Sequence, residues 1–153
     1  MFIGMAVVVA GLAGFFVWER YWGNAEYQEY KALERRYIEA MTNDTYGGQT
    51  PQETLDLFVA ALKAEDVELA AKYFMLDDNL SREKWVKTLW LFKEKELLND
   101  IVKDIKEKAK EDLKNKIDEN DFKFNIYDST GKVAGWIDMR FNKYSKVWKI
   151  ESL

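Results

Sequence analysis

FKFNIYDSTGKVAGWIDMRFNKYSKVWKI, residues 122–150, is the stretch whose reading decides the fold. Phe122, Phe124 and Ile126 alternate with Lys123, Asn125 and Tyr127, the period of two that marks a half-buried strand. Asp128-Ser129-Thr130-Gly131 reads as a hairpin loop. Gly135, Ile137, Met139 and Phe141 then alternate with Trp136, Asp138 and Arg140, and Asn142 to Ser145 turns the chain again. Trp148 and Ile150 share one face of the last strand. These residues predict an antiparallel sheet of about three strands with one apolar face that needs a cover.

The cover lies upstream, where the period is that of a helix. Thr50-Pro51-Gln52-Glu53 supplies a Thr N-cap, Pro at the first helical position and Glu at the third, a capping box. The helix it starts carries Leu55, Phe58, Val59 and Leu62 on one side. Asp66 caps a second helix with Val67, Leu69, Ala70, Tyr73 and Phe74, and Ser81 can cap a third with Trp85, Leu89 and Phe92. Leu98, Ile101, Val102, Ile105, Ala109 and Leu113 mark a fourth, expected to run to about Ile117. Helices followed by strands indicate an α+β domain over residues 50–153, a helical layer packed on a C-terminal sheet.

The N-terminal part differs in character. Phe2 to Trp18 is 17 residues without a charge, FIGMAVVVAGLAGFFVW, followed by Tyr21 and Trp22. A helix of that length spans roughly 25 Å, which suits a short single membrane span closed by interfacial aromatics. Residues 1–23 are therefore expected to be a transmembrane anchor, a retained one rather than a cleaved signal or a core helix. Ala6, Ala10 and Gly14 recur every four residues along it, a spacing that close helix packing in lipid favours, but small residues are common in such segments and chance is the better reading. From Asn24 to about Met41, Tyr27, Tyr30, Leu33, Tyr37, Ile38 and Met41 recur at spacings of three and four, as on an amphipathic stalk helix. Thr42 to Gln49, with a double Gly, reads as a linker, so residues 24–49 are expected to be stalk helix and linker.

Composition excludes several kinds of chemistry. The 153 residues contain no Cys and no His, so there is no disulfide, thiolate nucleophile, imidazole base or His metal ligand. The 23 basic and 27 acidic residues give a charge of −4, which opposes nucleic-acid binding. No P-loop, dinucleotide fingerprint, zinc-protease motif, nucleophile elbow or EF-hand loop occurs. Lys103, Lys106, Lys108, Lys110, Lys114 and Lys116 are interleaved with Asp104, Glu107, Glu111 and Asp112, which describes a solvated face. No catalytic residue, cofactor or metal is assigned.

Asp138 and Arg140 fall on one face of the middle strand with Trp136, where a carboxylate beside an arginine could bind a ligand or move a proton if enclosed. On a wet sheet face the same pair is an ordinary surface ion pair, and the alternation with Ile137 and Met139 favours the wet face. The candidates for a pocket lining are Tyr73, Trp85, Phe92, Trp136, Asp138 and Trp148.

Residues 50–74, TPQETLDLFVAALKAEDVELAAKYF, resemble the opening of a nuclear-transport-factor-2-like domain, and Val147-Trp148-Lys149-Ile150 resembles the closing strand of that superfamily. The resemblance implies a helical hairpin leading into a curved sheet, and an envelope setting of bacterial type, since members of unknown function often follow a membrane anchor. It carries no activity here: the superfamily's enzymes use Asp, Tyr or His in a conical cavity, His is absent, and no acid of this chain aligns with a catalytic position. The expected function is a non-enzymatic, membrane-anchored envelope domain that binds a protein partner or a small apolar ligand. The alternatives are a small isomerase- or dehydratase-like enzyme using Asp138 or a buried Tyr, and a structural subunit assembled through anchor and stalk. The globular domain is expected outside the cytoplasm, although Arg20, Lys31, Arg35 and Arg36 follow the span and the positive-inside rule favours the opposite placement. A basic segment upstream of Met1 would reconcile the two.

Overall fold

The computed structural model describes residues 25–112 and 118–153. The chain divides into two compact units, Met1–Glu39 and Ala40–Leu153. The expected membrane anchor lies outside the described residues. Residues 25–43 are helical (α1). The helices that follow are α2 (Pro51–Lys63), α3 (Val67–Lys72), α4 (Glu83–Glu94) and α5 (Leu98–Lys108). The strands are β1 (Ala109–Glu111), β2 (Asp121–Tyr127), β3 (Val133–Asn142) and β4 (Val147–Ser152), paired antiparallel in that spatial order. The α+β class expected from the sequence is observed.

Local chemistry sets the helix starts. Thr50 Oγ1 accepts a hydrogen bond from Glu53 N at 3.1 Å, while the Glu53 carboxylate accepts from Gln49 N at 2.7 Å. The box therefore closes on the residue before the cap. Asp66 Oδ1 caps α3 through Leu69 N at 2.9 Å. The N-cap of α4 is Arg82, with Ser81 Oγ accepting from Glu83 N at 3.1 Å.

The core forms between α2–α5 and one face of the sheet. Phe122 pairs with Met139, Phe124 with Ile137, Met139 with Ile150 and Phe141 with Trp148, so the alternating apolar set lies together. Phe58, Phe74, Leu89, Ile137 and Ile150 are completely buried. Phe74 stands edge-on to Phe58 at 5.4 Å and stacks on Trp85 at 4.0 Å. Phe74 also forms a parallel bridge with Ile150, which covers the outer edge of β4.

Two expectations change. The sheet has four strands rather than three, and the last helix ends at Lys108 instead of running to about Ile117. Ala109 takes an extended conformation (φ −74°, ψ 129°), and Ala109–Glu111 pairs with Phe124–Ile126. Ile105 and Ala109 keep helical spacing by coincidence, and three residues are too few to show alternation. Leu113 and Ile117 lie outside the described residues.

Residues 42–49, read from sequence as linker, and Met41, read as the end of the stalk helix, pack within the Ala40–Leu153 unit. Met41 is buried, and its carbonyl accepts from Asn142 Nδ2 at 2.8 Å. Gly48 O accepts from Trp148 N at 2.9 Å, and Gly48 N donates to the buried Thr54 hydroxyl at 2.8 Å. Thr54 Oγ1 in turn donates to Trp148 O at 3.0 Å. Gly47, at φ +154°, lies so close to β4 that a Cβ there would meet Trp148 O at 2.3 Å.

Candidate functional site

The face of the sheet opposite the core carries the polar half of the alternation. Lys123 Nζ lies 3.0 Å from Asp138 Oδ1, and Ser152 Oγ donates to Asp138 Oδ2 at 2.8 Å. Arg140 bridges Asp121 and Glu151, each at 3.0 Å. These side chains border a groove of about 250 Å³, with Asp121, Lys123, Asp138, Arg140 and Glu151 among its lining residues. Trp136, 52% exposed, lies on the same face two residues before Asp138, with Lys123 Nζ 5.5 Å from its ring. The wet-face reading of Asp138 and Arg140 describes this arrangement. Both Asp138 oxygens are engaged, and the partly exposed pairs are worth little to stability. The face presents an aromatic ring beside side chains of alternating charge.

Toward the turn between β3 and β4, this face is covered by residues 41–46 and becomes dry. Lys149 is 0% exposed and donates to Asp44 Oδ1 at 2.7 Å, Tyr46 O at 2.6 Å and Lys72 O at 2.6 Å. The other Asp44 oxygen is ion-paired with Arg82, whose Nε donates to Phe74 O at 2.6 Å. Three acceptors take all three N–H bonds of an ammonium group, so this geometry fits the charged lysine. Burial pushes the Lys149 amine down to about 8, the Asp44 carboxylate opposes that fall, and the Arg82 cation adds to it.

The six candidate lining residues fall on two sides of the sheet. Trp136 and Asp138 lie on the open face. Tyr73 is buried in the core, Trp85 stacks on Phe74, and Phe92 packs half-buried against the same cluster. Trp148 packs between Phe122 at 6.2 Å and Phe141 at 5.6 Å. Burial, with a lesser push from Tyr46 and Asp66, raises the Tyr73 phenol above its ordinary value of 10.0, so it stays protonated at neutral pH.

Sequence reasoning missed Asp44, Arg82 and Lys149. Lys149 occupies an outward position of a strand, where a lysine normally signals solvent. One sign was available: Val147, on the same side of β4, is apolar and buried, as an uncovered face does not require.

Among the described residues no helix is long and apolar enough to cross a membrane, and no group of three or more acidic side chains is placed to hold a metal. No family model, curated protein or solved structure matches the chain.

Proposed function

We propose that this chain is a single-pass, membrane-anchored domain of the nuclear-transport-factor-2-like type that works at the extracytoplasmic face of a bacterial envelope. It binds a protein segment or a small ligand without transforming it. The uncharged stretch Phe2–Trp18 supports the anchor, and the resemblance of Thr50–Phe74 and Val147–Ile150 supports the family. Binding is placed on the open sheet face, and the observation that carries it is Trp136. A tryptophan half exposed in the middle of a central strand, beside ordered ion pairs, is the kind of rigid aromatic anchor that interfaces use.

The test replaces Trp136 with a photo-crosslinking amino acid in cells, with Lys87 on the exposed side of α4 as the comparison site. A discrete adduct dependent on position 136 is the expected result. Equal labelling at both positions, or none at 136, would remove the open sheet face as the binding surface.

A further inference from the structure

The described part of the Met1–Glu39 unit is one helix with an exposed apolar face. At 100° per residue, Tyr27, Tyr30, Leu33, Tyr37 and Ile38 fall within an arc of about 140°. All five are exposed, from 38% for Ile38 to 63% for Tyr30. Gln28, Arg35, Arg36 and Glu39 occupy the other side. Glu26 and Glu34 fall within the apolar arc, and Glu34 is drawn to its border by Lys31 at 2.8 Å.

A second copy fits this face poorly. The arc covers 12 residues, under two heptads, whereas a coiled-coil seam is sustained over about three or four. A dry seam would also bury Glu26 and Glu34. A bilayer surface accepts both features. An interfacial helix sinks only about 5–10 Å, so carboxylates on its apolar side reach water, and tyrosine is enriched at that depth. The uncharged Phe2–Trp18 stretch ends nine residues before Tyr27, which keeps this helix close to any membrane that stretch enters.

We propose that the Tyr27–Ile38 face of α1 lies in the headgroup layer of the bilayer that takes residues 2–18, so that α1 runs along the membrane surface. This rests on the anchoring reading of Phe2–Trp18. The helix carries four acidic and three basic residues, so contact is apolar and aromatic in origin and does not depend on anionic lipid.

The chain has no cysteine, so single nitroxide labels can be placed at will. Full-length Tyr30→Cys, Leu33→Cys, Gln28→Cys, Arg35→Cys and Ala10→Cys are labelled and reconstituted in phosphatidylcholine vesicles. Collisions with oxygen and with a water-soluble nickel chelate are then measured. The expected result is an oxygen-to-nickel ratio several-fold higher at 30 and 33 than at 28 and 35. Nickel access at all four sites would overturn the proposal in favour of a stalk standing in water. Shielding of 30 and 33 from both reagents, with spin–spin broadening between copies, would overturn it in favour of self-association. The label at 10 separates the two readings. If it is not in lipid, the anchor falls and this inference with it; if it is and the stripe fails, only the inference falls.

Discussion

Asp44 and Lys149, 105 residues apart in the chain, meet in a 2.7 Å ion pair whose two side chains are 3% and 0% exposed. The pair joins the segment leaving α1 to the last strand, and Arg82 on the other Asp44 oxygen makes it a cluster of two cations around one carboxylate. A buried charge that loses its partner is strongly destabilising. Asp44→Ala should therefore cost about 3–5 kcal/mol, because it strands both Lys149 and Arg82. Lys149→Met keeps the apolar stem and leaves Asp44 paired with Arg82, but it strips Tyr46 O and Lys72 O of their donor, and should cost less than Asp44→Ala, about 1–3 kcal/mol. Denaturant melts of the full chain in detergent give the order; equal losses would show that the cluster does not act as a unit.

The same lysine makes stability depend on pH. Burial holds its folded value near 8, against an ordinary 10.5. Between those limits the folded chain has lost a proton that the unfolded chain still holds, so unfolding takes one up and stability rises with pH. Below about pH 8 both states are protonated and the burial penalty is fully present. The gain across the window is at most about 3 kcal/mol. It is read as the difference between melts of the unsubstituted chain and Lys149→Met at pH 7 and pH 10. Parallel curves would mean that the amine does not titrate in the folded protein within that window.

Truncation separates the globular unit from the rest. Residues 40–153 should melt cooperatively as a fragment, since Met41, Asp44, Gly47 and Gly48 all bond or pack against β3, β4 or α2. Residues 50–153 should fold poorly, because Lys149 and Arg82 then lack a carboxylate and Asn142 lacks its carbonyl. Melts of equal midpoint and sharpness would make residues 40–49 dispensable.

Much of the fold was legible where periodicity was long and local. The spacing of Leu55, Phe58, Val59 and Leu62 predicts one buried side, which they form, and the alternation from Phe122 to Ile150 predicts the three longer strands. The fourth strand was hidden because Ala109–Glu111 is short and its single apolar residue continues the helical spacing. Of the open face, Trp136, Asp138 and Arg140 were placed together by alternation alone. The Asp44–Lys149–Arg82 cluster was not legible: each partner sits in a context that usually means solvent, and only tertiary packing brings a turn, a strand and a helix cap to one point.

We propose that residues 2–18 hold the chain in a membrane with its domain on the extracytoplasmic side. Lys87→Cys places a single thiol on an exposed part of α4, where the native side chain is 72% exposed. In bacterial spheroplasts expressing the full chain, a membrane-impermeant maleimide should label this variant before lysis, and the labelled protein should stay in the membrane pellet after carbonate extraction. Labelling only after lysis would place the domain inside, and release by carbonate would contradict the anchor.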